Sequence, residues 1–141
     1  MQTRRIVWIG SGIAAAVVVL IVIAVIAVTW LVRDPRQDLS LETFVPQEGV
    51  AGGPVEVAAF EGLRDETSHL CDGVQGCIEG YSAADATFYR FSSKLLASEF
   101  ALTLDDAYQS DWILIDWSDS SLPEDERSLA EDVIDGTWTS E

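Results

Sequence analysis

Three kinds of side chain are scarce in this 141-residue sequence, which has one histidine, two cysteines and eight basic residues. Each scarcity excludes chemistry. With His69 as the sole imidazole, a Ser–His–Asp triad would have to be built on it. No Gly-x-Ser-x-Gly elbow accompanies it, and Gly10-Ser11-Gly12 falls inside an apolar run. A zinc site drawn from His69, Cys71, Asp72 and Cys77 lacks the close cysteine pair and the matched ligand spacing that structural zinc uses. Nor is there a glycine-rich phosphate loop followed by lysine, because the glycines of residues 49–53 lead into an acidic stretch. These gaps point away from an enzyme and from any cofactor.

The shortage of positive charge is uneven along the chain. All 24 acidic residues lie at or after Asp34, and only Arg36, Arg64, Arg90, Lys94 and Arg127 accompany them, a balance of −19. Such a surface repels nucleic acid and anionic lipid headgroups. It favours solubility and attracts cations or a basic partner.

What the sequence does have is one long apolar run. Residues 6–32 carry no charge, and Ser11 and Thr29 are their polar members. About 20 apolar residues suffice to span a bilayer core. A cleaved signal has an apolar region of only about 7–15 residues before a small-x-small site. Val28-Thr29-Trp30-Leu31 is a poor site of that kind. The run reads as an uncleaved single-pass anchor with Trp8 and Trp30 at the two membrane interfaces. Those tryptophans are 22 positions apart, which corresponds to about 33 Å of helix and matches the roughly 30 Å hydrocarbon layer. Arg4, Arg5 and the terminal amine precede the run; Arg33 and Arg36 follow it. The short tail and the amine favour a cytoplasmic N-terminus and an extracytoplasmic C-terminal part in the cell membrane. The domain organisation is therefore a cytoplasmic tail (1–5), a transmembrane helix (6–32), a linker (33–53) and an acidic extracytoplasmic domain (54–141).

Pro35, Pro46 and Pro54 with Gly49, Gly52 and Gly53 mark the linker, although Leu39, Leu41, Phe44 and Val45 are available to pack on the domain. Apolar spacing through Ala59, Phe60, Leu63 and Leu70 fits a helix face, or a short strand at its start. Residues 77–83 and 86–91 read as strands. Ser92 is a candidate cap for a helix through Leu104. Residues 111–117 form the clearest strand, with Ile113, Ile115 and Trp117 on one face and Trp112, Leu114 and Asp116 on the other. Ser121 and Pro123 introduce a last helix with Leu129, Ala130, Val133 and Ile134 buried and Gly136 as its stop. A strand–helix–strand unit from 86 to 117 implies a parallel pair. The fold class is thus a single N-terminal transmembrane α-helix followed by a small α+β domain. Its mixed sheet has about three to four strands with helices packed on one face, and approaches a ferredoxin-like order if residues 55–59 are a strand.

Cys71 and Cys77 fall on the side where disulfides persist and are spaced for a small closed loop. Trp112 and Trp117 lie on opposite faces of one strand, so either helices or loops cover both faces, or one of them, with Trp112 ahead, is an exposed candidate for partner contact; Trp138 beyond the last helix is a third candidate, or folds back on that helix. Asp116 and Asp119 are weak metal candidates, and no EF-hand pattern supports them. The function expected is a membrane-tethered extracytoplasmic interaction or accessory module with a protein partner in the membrane or envelope. The alternative is a sensor domain for a cation or small ligand.

Overall fold

Alternation along two segments dictates the centre of the sheet. In Thr87–Phe91 (β3), Phe88 faces one side while Tyr89 and Phe91 face the other. In Ile113–Asp116 (β5), Ile113 and Ile115 oppose Leu114 in the same way. The two strands pair antiparallel, with Phe88 opposite Ile115 and Tyr89 opposite Leu114, so each face presents a continuous apolar row. The structure is a computed structural model that describes residues 17–29, 32–46 and 57–138.

Two further strands and a hairpin complete the sheet. Cys77–Ser82 (β2) pairs with β3, and Arg64–Asp65 (β1) forms one edge. Ala107–Ser110 (β4) forms the other edge beside β5. The order is β1-β2-β3-β5-β4, and every neighbouring pair is antiparallel. This corrects the expected mixed sheet of three to four strands. The strand–helix–strand unit does not make a parallel pair, because the chain first forms β4 at the edge and then turns back. Asp111, at φ 55°, and Trp112 make the two-residue turn that returns β5 between β4 and β3. The ferredoxin-like arrangement, which needs a split βαβ unit, is absent for the same reason.

Helices lie on both faces rather than one. Thr67–Leu70 (α2) and Lys94–Ala101 (α3) cover the side of Tyr89, Phe91 and Leu114. Glu124–Gly136 (α4) covers the side of Phe88, Ile115 and Trp117. Ser93, one residue beyond the expected cap, accepts from the Leu96 amide and starts α3. The helix expected through Leu70 is interrupted. A 3-10 turn at Ala58–Phe60 ends before Gly62, whose φ of +70° an L side chain rarely adopts.

The chain divides into units Met1–Asp34 and Pro35–Glu141. In the first, residues 17–29 are helical (α1) with exposed side chains. Among the described residues no helix is long and apolar enough to cross a membrane. Trp8 and Trp30 lie outside the described residues. In the second unit, the segment read as a linker enters the core. Its 3-10 turns Pro35–Asp38 and Leu41–Phe44 place Leu39, Leu41 and Phe44 at 1%, 0% and 4% exposure. Phe44, Phe60, Phe88 and Trp117 then form a chain of ring contacts with centroids 5.4, 5.5 and 6.4 Å apart.

Candidate functional site

The residues singled out in the sequence are scattered by the fold. Cys71 and Cys77 form a disulfide that ties the end of α2 to the start of β2. His69 is exposed on α2 beside it. Trp112 and Trp117 are both buried, so of the two alternatives for this strand both faces are covered. The Lys94 ammonium sits 4.3 Å from the Trp112 ring centre. Trp117 donates its indole N–H to Glu131 at 3.0 Å and carries the Arg127 guanidinium 5.1 Å from its ring centre. Trp138 is 60% exposed.

Asp116 and Asp119 do converge. Together with Asp85 and Thr87 they line an open depression of about 100 Å³. Two of its three carboxylates already have partners, Asp116 within its own turn and Asp85 across to a loop 36 residues on. Asp116 accepts from the Ser118 amide at 2.9 Å and hydroxyl at 2.6 Å, and Asp85 accepts from the Ser121 hydroxyl at 2.5 Å. Among the described residues no group of three or more His, Cys, Asp or Glu side chains is placed to hold a metal ion.

A different constellation gathers along β4. Tyr108 and Ser110 face α4, while Ala107 and Gln109 face α3. Ser110, which is buried, donates to Asp135 at 2.5 Å and accepts from Arg36 at 2.6 Å. Tyr108 donates its hydroxyl to the other Asp135 oxygen at 2.7 Å. That hydrogen bond, partial burial and the charges of Asp135, Glu131 and Asp132 push the Tyr108 phenol up to about 12. Burial also raises Glu131 above the usual carboxylate range, opposed by its bond from Trp117 and by Arg127. One side of β4 is therefore strongly acidic.

The other side is the start and end of α3. Gln109 donates its side-chain amide to the Lys94 carbonyl at 3.0 Å, and Ala107 packs against the cluster of Tyr89, Phe91, Ala97 and Leu114. Leu95 in α3 and Leu102 at its C-cap, seven residues apart, are 67% and 85% exposed. Sequence reasoning missed this region because Ala107-Tyr108-Gln109-Ser110 lacks a clean apolar alternation. The usable signal was Asp111 before the strand at 113, a residue type that tolerates the left-handed turn. Comparison with protein-family models, with curated proteins and with solved structures finds no match to this chain.

Proposed function

We propose that the chain is a membrane-tethered extracytoplasmic interaction module, an accessory subunit that presents its acidic α+β domain to a protein partner. The apolar run at residues 6–32 serves as the anchor, with the N-terminus cytoplasmic. The observation that carries this reading is the exposure of Leu95, at the start of α3, and of Leu102, the residue that caps its C-terminal end. A domain with a distal balance of −19 has ample polar material for its surface. Two largely exposed leucines, one at the start of a well-capped helix and one at its C-cap, fit a contact surface.

The test is photo-cross-linking of the full chain in intact cells, with the reactive group introduced at position 102. A single discrete adduct with another protein is the expected result. Recovery of monomer alone from positions 95, 102 and 138 would overturn the reading.

A further inference from the structure

The two edges of the sheet are built differently. β1 is two residues long and consists of Arg64 and Asp65, both exposed and charged, which blunts it against strand addition. β4 has four residues with no proline, no lysine and no bulge. The β4–β5 turn fixes which of its backbone groups are used. Ser110 pairs with Ile113 across a two-residue turn, and the Trp117 amide donates to the Asp106 carbonyl at 2.8 Å. Residues 106, 108 and 110 therefore exchange the hydrogen bonds with β5. The amides and carbonyls of Ala107 and Gln109 point the other way, off the edge of the sheet, and among the described residues none of them has a hydrogen-bond partner.

Charge decides what fits this edge. Glu131, Asp132 and Asp135 of α4 act on the Tyr108 hydroxyl from one side, and Asp105 and Asp106 precede the strand. Arg127 neutralises Asp106, whereas Asp105, Asp132 and Asp135 form no ion pair among the described residues. A second copy of a chain of net charge −16 is repelled from such an edge. On the far side, α3 and its C-cap carry the exposed Leu95 and Leu102.

We propose that the open edge of β4 is a docking site for an extended, basic segment of a partner protein, which adds to the sheet as a further strand. The outward amides and carbonyls of Ala107 and Gln109 supply the main-chain hydrogen bonds. Because side chains alternate along a strand, Lys or Arg at every second position of the segment faces the α4 carboxylates and apolar residues between them face α3. This inference rests on the interaction-module reading and names the surface and partner class within it.

The test uses the full chain in neutral detergent micelles and a short labelled peptide alternating Arg with Val, read by fluorescence anisotropy. Gln109→Pro removes the outward amide donor without touching a ladder bond, and edge strands tolerate proline at such positions. Gln109→Ala keeps that donor and controls for loss of the bonds from the Gln109 side chain to Lys94 and Asp111. The expected result is binding weakened about tenfold or more by Gln109→Pro and little by Gln109→Ala, with hydrogen-exchange protection of the amides of Ala107 and Gln109. The double change Asp105→Asn with Asp132→Asn is expected to weaken binding severalfold and flatten its salt dependence.

Several results would overturn the proposal: no binding, equal binding by Gln109→Pro, or equal binding of a Glu–Val peptide. Dimerisation of the free chain that Gln109→Pro abolishes would overturn it in favour of a second copy. A cellular cross-link from position 102 that survives Gln109→Pro would remove the β4 edge but leave the module reading. Absence of any adduct from positions 95, 102, 109 and 138 would remove both.

Discussion

The Arg36 guanidinium lies 2.8 Å from the Asp111 carboxylate, joining the first turn of the distal unit to the β4–β5 turn 75 residues later. Its second terminal nitrogen donates to the Ser110 hydroxyl at 2.6 Å and to the Ile134 carbonyl at 3.0 Å. One side chain thus fastens the N-terminal segment to the sheet edge and to the end of α4. A second clamp lies on the same segment. Glu79 accepts from the Leu41 amide at 2.7 Å, from the Ser40 hydroxyl at 3.1 Å and from Arg90 at 2.7 Å, while Arg90 also donates to the Gln37 carbonyl at 2.9 Å.

Replacing Arg36 by Ala leaves buried Ser110 with one partner fewer and half-buried Asp111 with Lys94 as its remaining ion-pair partner. The expected loss of stability is about 2–4 kcal/mol, the range for truncating one member of a desolvated, hydrogen-bonded pair. Urea unfolding checks this: the midpoint should fall with the slope unchanged. Arg36→Lys should recover part of the loss, since one ammonium cannot reproduce the fork to Asp111 and Ser110.

Legibility in the sequence followed whether a structural cause was local. The alternation of residues 113–117 and the Ala130–Val133–Ile134 stripe of α4 are periodic, and both correspond to observed elements. The cysteine pair is readable from spacing and forms its disulfide. The N-terminal segment has no period. Leu39, Leu41 and Phe44 are each buried by residues distant in sequence, so nothing around them distinguishes them from linker residues. The same holds for β4, whose existence depends on one left-handed Asp and on pairing with β5. Burial of Trp112 and Trp117 likewise depends on helices covering both faces, a tertiary outcome that strand alternation cannot specify.

Tyr108 gives a pH prediction. Its phenol is raised to about 12, first by donating to Asp135. An unfolded tyrosine ionises near pH 10, so above that pH the folded state holds a proton that the unfolded state has lost. The contribution is complete below pH 10 and disappears as the pH rises through 12. Stability should therefore fall over that interval. Asp135→Asn should return the Tyr108 titration towards 10, as followed by tyrosinate absorbance, and should reduce the slope of stability against pH there.

Two glycines of the disulfide loop separate conformational strain from crowding. Gly73 and Gly76 have φ of +71° and +75°. A Cβ at 73 meets open space, whereas one at 76 would lie 2.3 Å from the Leu96 Cδ1 and 3.3 Å from its Cβ. Gly73→Ala should destabilise by about 1 kcal/mol, the cost of a left-handed L residue. Gly76→Ala should add to that the displacement of Leu96 against Tyr89, Phe91 and Leu114, for a total of about 2–3 kcal/mol. Thermal unfolding of the two variants side by side distinguishes them, and equal losses would show that Leu96 relaxes freely.

The burial of Leu39, Leu41 and Phe44 predicts where the distal unit can be cut. Fully burying a side chain of this size is worth about 1.5–3 kcal/mol. Loss of all three is therefore of the same order as the 5–15 kcal/mol by which most domains are stable. Removing residues 35–53 also withdraws Ser40 and Leu41 from Glu79 and the Phe44 ring from Phe60. A fragment beginning at Pro35 should unfold cooperatively in urea with an ordered near-ultraviolet circular dichroism spectrum. One beginning at Pro54 should lose that spectrum and bind an apolar dye, because the uncovered face includes Phe60 and Phe88. If the shorter fragment instead melts cooperatively at the same midpoint, residues 35–45 are an accessory strap and the core closes without them.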